Sequence, residues 1–175
     1  MDPDDWGEAP ISRAHDREAF DCGDPALNEF LRRHARQSHE HGGAKTFVAT
    51  PLQEPARVLG FYSLSPASID FARTPAVVKK GLARHDVPVF RLGRLAVDLT
   101  QQGKGLGGAL LLAAGRRCLH AAAEVGGVAL LIDAKSARAA DWYASYGAVA
   151  LLDAPRTLVL PLAVIDAALK KAGSA

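Results

Sequence analysis

The stretch Gln101–Ala109, QQGKGLGGA, decides how this chain is read. Four glycines, Gly103, Gly105, Gly107 and Gly108, crowd into it, and a leucine-rich run follows at once. The segment before it, VFRLGRLAVD (Val89–Asp98), is rich in apolar and β-branched residues and reads as a strand ending near Val97. After it, a helical apolar pattern runs from about Leu106 to Val125. The first N–H groups of a helix have no partner in the helix and carry a partial positive charge. Glycine lets an anion approach that backbone closely and permits φ values closed to other residues. Strand, glycines and helix in this order therefore suit a phosphate cradle. A tight turn that brings the helix close to the sheet would use the same glycines.

The kind of phosphate is narrowed by spacing. A nucleoside-triphosphate loop needs G-x-x-x-x-G-K-[ST], and Lys104 is followed by Gly105, so that pattern fails. The dinucleotide fingerprint G-x-G-x-x-G fits literally at Gly103, Gly105 and Gly108, with Asp133 as a candidate ribose-binding acid. Too little chain follows the motif to complete the two halves of a dinucleotide fold.

The remaining chain sets the frame. Its 175 residues suffice for one compact core, and 49% hydrophobic with 23% charged residues is the composition of a soluble globular protein. The longest apolar stretch, GLGGALLLAAG, stops at Arg116 and Arg117, too short for a bilayer span. The acidic start, MDPDDWGEAP, has no apolar signal core. Cys22 and Cys118 form no metal or redox motif, so a reduced, cytoplasmic protein is expected. Residues 1–24 hold eight acids and two bases, whereas 25–125 hold fourteen bases and seven acids, a basic body able to attract phosphates.

Along the chain, residues 1–10 are polar with two prolines and are expected to be a disordered leader. DPALNEFLRRHARQSHEHGG reads as a helix capped by Asp24, opened by Pro25 and ended by Gly42 and Gly43. KTFVATP and RVLGFYSLSPASIDF read as strands around a QEP turn, and 72–88 as a short helix or loop. In the long helix, Gly107, Leu111, Ala114 and Cys118 are expected to face inward, and Arg116, His120 and Glu124 outward. VALLIDA is a continuous apolar strand of the kind buried in parallel pairing. Ser136 caps a helix ARAADWYASY that Gly147 closes. AVALL and TLVLPL are two further strands, and 163–175 is a C-terminal helix or tail. The expected fold is mixed α/β, with helices on a sheet.

Three stretches together carry a resemblance. Q-x-x-G-x-G at Gln102, Gly105 and Gly107, RLAVD (Arg94–Asp98) before it and ADWYASYGA (Ala140–Ala148) after it resemble the GNAT (Gcn5-related N-acetyltransferase) superfamily. The resemblance implies a single domain over about residues 11–162, with a central, mostly antiparallel mixed sheet flanked by helices. It implies acetyl-CoA as cofactor and no metal. Backbone N–H groups of Gln102, Gly103, Lys104, Gly105, Leu106, Gly107 and Gly108 would hold the pyrophosphate. The backbone of Leu95, Ala96 and Val97 would pair with the pantetheine arm, placing the thioester carbonyl where the strands splay. Tyr143 would be the general acid that protonates the leaving thiolate, a task suited to a phenol that is neutral at pH 7. Ser136 stands where relatives often place an asparagine near the cofactor; a serine there also suits a helix cap. Gly147-Ala148 replaces the usual Gly-Phe.

A narrower resemblance adds FDCGDPALNEFL (Phe20–Leu31) and GFYSLSPASI (Gly60–Ile69) to these motifs. Together they look like the GNAT toxins of type II toxin–antitoxin systems. That implies acetylation of the amine of aminoacyl-tRNA, a block of translation, a ribbon–helix–helix antitoxin and a homodimer. The same loop and tyrosine would also serve a GNAT enzyme of a small-molecule or protein amine, and the loop alone would serve a non-catalytic acyl-CoA-binding module. Arg32, Arg33, Arg36 and Lys45 are either solvated surface or a strip for tRNA phosphates. The histidines at 15, 34, 39, 41, 85 and 120 lack zinc-site spacing, and Cys118 reads as a small core residue.

Overall fold

The computed structural model of the protein describes residues 5–173. Its seven strands are β1 (Trp6–Pro10), β2 (Lys45–Pro51), β3 (Gly60–Ile69), β4 (Val87–Val97), β5 (Ala129–Asp133), β6 (Val149–Leu151) and β7 (Ala154–Pro161). They form a mixed sheet in the order β1-β2-β3-β4-β5-β7-β6. β1–β2, β2–β3, β5–β7 and β6–β7 pair antiparallel, and β4–β5 parallel. The helices are α1 (Pro25–Glu29), α2 (Ala35–Glu40), α3 (Ala76–Lys79), α4 (Leu106–Val125), α5 (Ala137–Ala144) and α6 (Leu162–Gly173). This is the helix-flanked, mostly antiparallel mixed sheet expected from the sequence. Two compact units divide it: one holds the residues up to Ser65 with Gly93–Leu111, the other Pro66–Leu92 with the residues from Leu112 on.

The first unit is built on β2 and β3. Val48 and Phe61 pair across these strands and pack with Ile11, Phe20, Phe30, Leu31, Ala35 and Ala96. Asp24 caps α1, its Oδ1 accepting from the Ala26 amide at 3.0 Å, with Pro25 at the first helical position. A π-helical turn, Phe30–His34, joins α1 to α2. A wider turn rotates the apolar face, and both Leu31 and Ala35 end fully buried. A strict 3.6-residue reading does not reveal that insertion.

The expected disordered leader is corrected over Trp6–Pro10. That segment is strand β1, paired residue by residue with Phe47–Pro51. Without it, β2 would present an open row of backbone donors and acceptors. The ladder is extended at both ends by Leu52 N–H to Asp5 O (2.9 Å) and Ile11 N–H to Thr46 O (3.0 Å). The Tyr62 hydroxyl also donates to the Glu8 carboxylate. Pro10 sits at the strand end, where its missing N–H costs little. Residues 1–4 lie outside the described residues.

In the second unit, Ile69, Val78, Val87, Val89, Ala129, Leu131, Leu151 and Val159 form one cluster. The expected inward face of α4 needs one change: Gly107 is only half-buried, and Leu110, Leu111, Ala114 and Cys118 are the buried residues. Arg116, His120 and Glu124 are exposed as expected. α6 is a helix rather than a tail. It begins with the Leu162 amide donating to Val128 O at 2.9 Å, and it buries Leu162 and Ile165. Ile165 occupies the space a side chain at Gly115 would need: a Cβ there would stand 2.5 Å from its Cγ2. Ile165→Ala is therefore expected to cost about 3 kcal/mol of unfolding free energy by chemical denaturation. A loss below about 1 kcal/mol would mean that α6 is not part of the packed unit.

Candidate active site

The glycine-rich segment forms the turn between β4 and α4. A 3₁₀ turn, Leu99–Gln101, follows β4, with Asp98 as its cap. Asp98 Oδ2 accepts from the Thr100 amide at 3.0 Å and its hydroxyl at 2.5 Å. Gly103 and Gly105 then take φ values of +76° and +88°, a region that disfavours side chains. A Cβ at either would meet no atom within 4 Å. Backbone shape, not internal crowding, thus requires these glycines, and their bare surface faces open space. Leu106 is buried and anchors the start of α4. The Ala109 amide makes a helical bond to Gly105 O at 3.2 Å. The amides of Leu106, Gly107 and Gly108 precede it in the first turn, where intrahelical acceptors are lacking. The segment has the form of an anion cradle at the head of a 20-residue helix.

The cradle is braced from behind by contacts the sequence reading did not assign. Gln102 turns its side chain inward: its Nε2 donates to Val97 O and to Cys22 O, each at 2.9 Å. The Gln102 side-chain N–H groups are thus spent within the protein, and its backbone N–H belongs to the cradle segment. The Leu99 amide donates to Asp21 O at 2.8 Å, and the Asp21 amide to Asp98 Oδ1 at 3.0 Å. Asn28, buried on α1, closes the set: its Oδ1 accepts from the Cys22 amide and its Nδ2 donates to Asp21 Oδ1, both at 2.9 Å. Asp21, Asn28 and Asp98 are thus site-supporting residues. The available signal was FDCGDPALNEFL, a polar-rich run inside an apolar frame.

The carboxylates of this brace stay ionised. Hydrogen bonds from the Gly23 amide and the Asn28 side chain, with Arg32 nearby, hold Asp21 below its ordinary value. Burial alone would raise Asp98, but Thr100, the Asp21 amide and Arg57 together bring it below its ordinary value. With both values lowered, the contribution of these carboxylates is present above the usual carboxylate range. It fades as pH falls through the lowered values.

Leu95, Ala96 and Val97 form the end of β4. β5 pairs with Phe90–Leu92, and these three residues lie further along the strand. Gly60 on β3 permits a close approach here: a Cβ on it would stand 2.9 Å from Ala96 O and 2.8 Å from Leu110 Cδ1. Gly60 was not singled out from the sequence.

Ser136 and Tyr143 belong to the second unit. Ser136 is extended, and its hydroxyl accepts from the Ala139 amide at 3.0 Å, the cap of α5. Tyr143 is the buried aromatic of its helix, 9% exposed, while Trp142 and Tyr146 are half-buried. Its ring meets Trp142 edge-on at 4.9 Å, and Trp142 meets Tyr146 at 5.0 Å. Burial pushes the Tyr143 phenol up to about 12, so it carries its proton throughout the neutral range. Burial likewise pushes the Cys118 thiol up to about 12, an inert core group. Among the described residues, no cluster of His, Cys, Asp and Glu is placed to hold a metal, and no helix is long and apolar enough to cross a membrane.

No family model matches the chain. The tRNA-acetylating toxin of Mycobacterium tuberculosis (strain ATCC 25618 / H37Rv) is 39% identical over 136 residues, 78% of this chain and 80% of that protein. Among solved structures, AtaT complexed with acetyl-methionyl-tRNAfMet is 27% identical and has a TM-score of 0.87, covering 94% of this chain and 99% of that one. A tyrosine-to-phenylalanine variant of the AtaT toxin, bound to the C-terminus of the antitoxin AtaR and acetyl-CoA, is 26% identical with a TM-score of 0.80, covering 95% and 99%.

The cap assigned to Ser136 is open to a direct check. Ser136→Ala is expected to lower stability by about 1 kcal/mol, and Ser136→Asp to restore most of it. Equal stability of all three proteins would remove the cap.

Proposed function

The chain belongs to the family of the tRNA-acetylating toxins, and on that premise we propose how its own residues carry the reaction. It is an acetyl-CoA-dependent N-acetyltransferase of the GNAT fold that acetylates the amino group of aminoacyl-tRNA and so blocks translation. The observation that carries the residue assignment is the outward-facing cradle at Gly103 and Gly105, shaped by positive φ and bare of side chains.

Acetyl-CoA supplies the activated acetyl group as a thioester. The backbone amides of Gln102–Gly108 hold its pyrophosphate, aided by the N-terminal end of α4. The backbone of Leu95–Val97 aligns the pantetheine arm by strand-like pairing. Ser136 accepts from the Ala139 amide as the α5 cap and keeps its O–H to donate to the cofactor. Tyr143 keeps its proton until negative charge develops on the leaving sulfur, then donates it. A phenol near 12 is a weak acid in water. The burial that raises it also raises the proton affinity of a thiolate beside it, so the transfer stays nearly balanced. The substrate amine attacks as the free base and loses one proton to solvent, and solvent returns one to Tyr143, so the products are the amide and the free thiol.

A ribbon–helix–helix antitoxin, a homodimer and a cytoplasmic location complete the proposal. The antitoxin is supported by the complex of AtaT with AtaR.

Three measurements test this reading. In cell-free translation, the protein is expected to inhibit only when acetyl-CoA is supplied. Tyr143→Phe should lower the acetylation rate by about 10²–10³ while binding acetyl-CoA normally. Unimpaired turnover in Tyr143→Phe would remove the general acid. Acetyl-CoA binding without inhibition would point to a small-molecule or protein amine. For the brace, Asn28→Ala is expected to weaken acetyl-CoA binding about tenfold in calorimetry, since it removes the bonds from Asn28 to the Cys22 amide and to Asp21. Unchanged affinity would separate the brace from the cradle.

A further inference from the structure

Arg94 stands on β4 immediately before Leu95–Val97, half-buried. Its Cζ lies 3.7 Å from the centroid of the Phe30 ring, at the π-helical turn. Stacking occupies the flat face of the guanidinium and leaves its in-plane N–H groups for another partner. Among the described residues, no carboxylate or carbonyl fills that place. Acids of the same unit are engaged elsewhere: Glu29 lies 3.9 Å from Arg33, Glu40 lies 2.9 Å from Arg36, and Asp21 and Asp98 belong to the brace. Burial works against the charge of Arg94, lowering it from its ordinary value, with no counter-charge offsetting that effect.

The same side of β2 and β3 carries more unanswered polar groups. Val48 and Phe61 face the Phe30 cluster, so Thr46 and Ser63, two residues along and paired with each other, share that side. Both residues are fully buried, and their hydroxyls, like Arg36 Nε, have no hydrogen-bond partner among the described residues. A Cβ on Gly93, next to Arg94, would stand 3.3 Å from Ser63 Oγ. Buried polar groups are ordinarily satisfied. Arg94 itself is the half-buried cation of this side with no acid beside it among the described residues, and it is suited to an incoming anion.

We propose that Arg94 binds the phosphodiester adjoining the aminoacylated terminal nucleoside of the tRNA. This rests on the reading that aminoacyl-tRNA is the substrate and that Leu95–Val97 align the acyl arm. Arg94 is the next residue on that strand. The anion covalently nearest to the reacting amine is that phosphodiester. A guanidinium fork, held flat by Phe30, matches two phosphate oxygens. The phosphates of acetyl-CoA are already assigned to the cradle, beyond the Leu99–Gln101 turn.

The test compares Arg94→Gln and Arg94→Lys with the unaltered protein on two substrates: charged tRNA, and the aminoacyl ester of adenosine, which has no phosphate. On charged tRNA, Arg94→Gln should raise KM about tenfold or more and reduce the salt slope of log(kcat/KM) by about 0.7 to 0.9, one phosphate contact. On the adenosine ester it should match the unaltered protein within about twofold, with unchanged acetyl-CoA affinity. Arg94→Lys keeps the charge but not the fork, and should lose less on charged tRNA while retaining the salt slope. It also decides the matter should the glutamine variant fail to fold. An equal loss on both substrates, a loss of acetyl-CoA affinity, or no loss on charged tRNA would each overturn the assignment. Inactivity of the unaltered protein on both substrates would instead overturn the substrate reading.

Discussion

One side-chain amide fixes the entrance to the glycine-rich turn. Gln102 Nε2 is shared between the carbonyls of Val97 and Cys22, so the end of β4, the N-terminal segment and the first residue of the glycine turn cannot move independently. The turn beyond it contains glycines with positive φ and open surroundings. Such backbone is costly to order unless something holds its ends. Asp21, Asn28 and Asp98 supply that hold through bonds of 2.9–3.0 Å. A phosphate site made of backbone amides needs this rigidity, because each amide contributes only when its direction is set in advance.

The proposed chemistry asks something different of Tyr143. A general acid must keep its proton until the sulfur leaves, and burial serves that purpose by disfavouring the phenolate. Trp142 packs edge-on against its ring, and Tyr146 packs against Trp142. The two aromatics of this short helix, with Tyr146 just beyond its end, therefore divide between one buried phenol and its packing. Sequence position alone did not separate them, because Trp142, Tyr143 and Tyr146 all lie within five residues.

Much of the fold was legible because its signals are local. Asp24 and Pro25 open α1, Ser136 caps α5, and the strand–glycine–helix order around Gly103 marks the cradle. What escaped the sequence depends on distant partners. β1 forms because β2 offers an edge some forty residues later, and nothing in WGEAP itself signals a strand. The Asp21–Asp98 and Gln102–Cys22 bonds span 77 and 80 residues, beyond the reach of any periodicity. The π-helical turn at Phe30–His34 breaks the period on which a helical reading relies. Gly107 was placed inward by helical spacing, yet the first turn of α4 is turned toward the cradle and Leu110 takes the inner position.

The central claim is that backbone amides of the Gln102–Gly108 turn are the phosphate-binding groups. Amide hydrogen exchange of the intact protein, with and without saturating acetyl-CoA, tests it most directly. The account predicts strong slowing at Gly103–Gly108 and at Leu95–Val97, with little change at the N-terminal strand β1. Saturated binding that leaves the exchange of the glycine turn unchanged would contradict it.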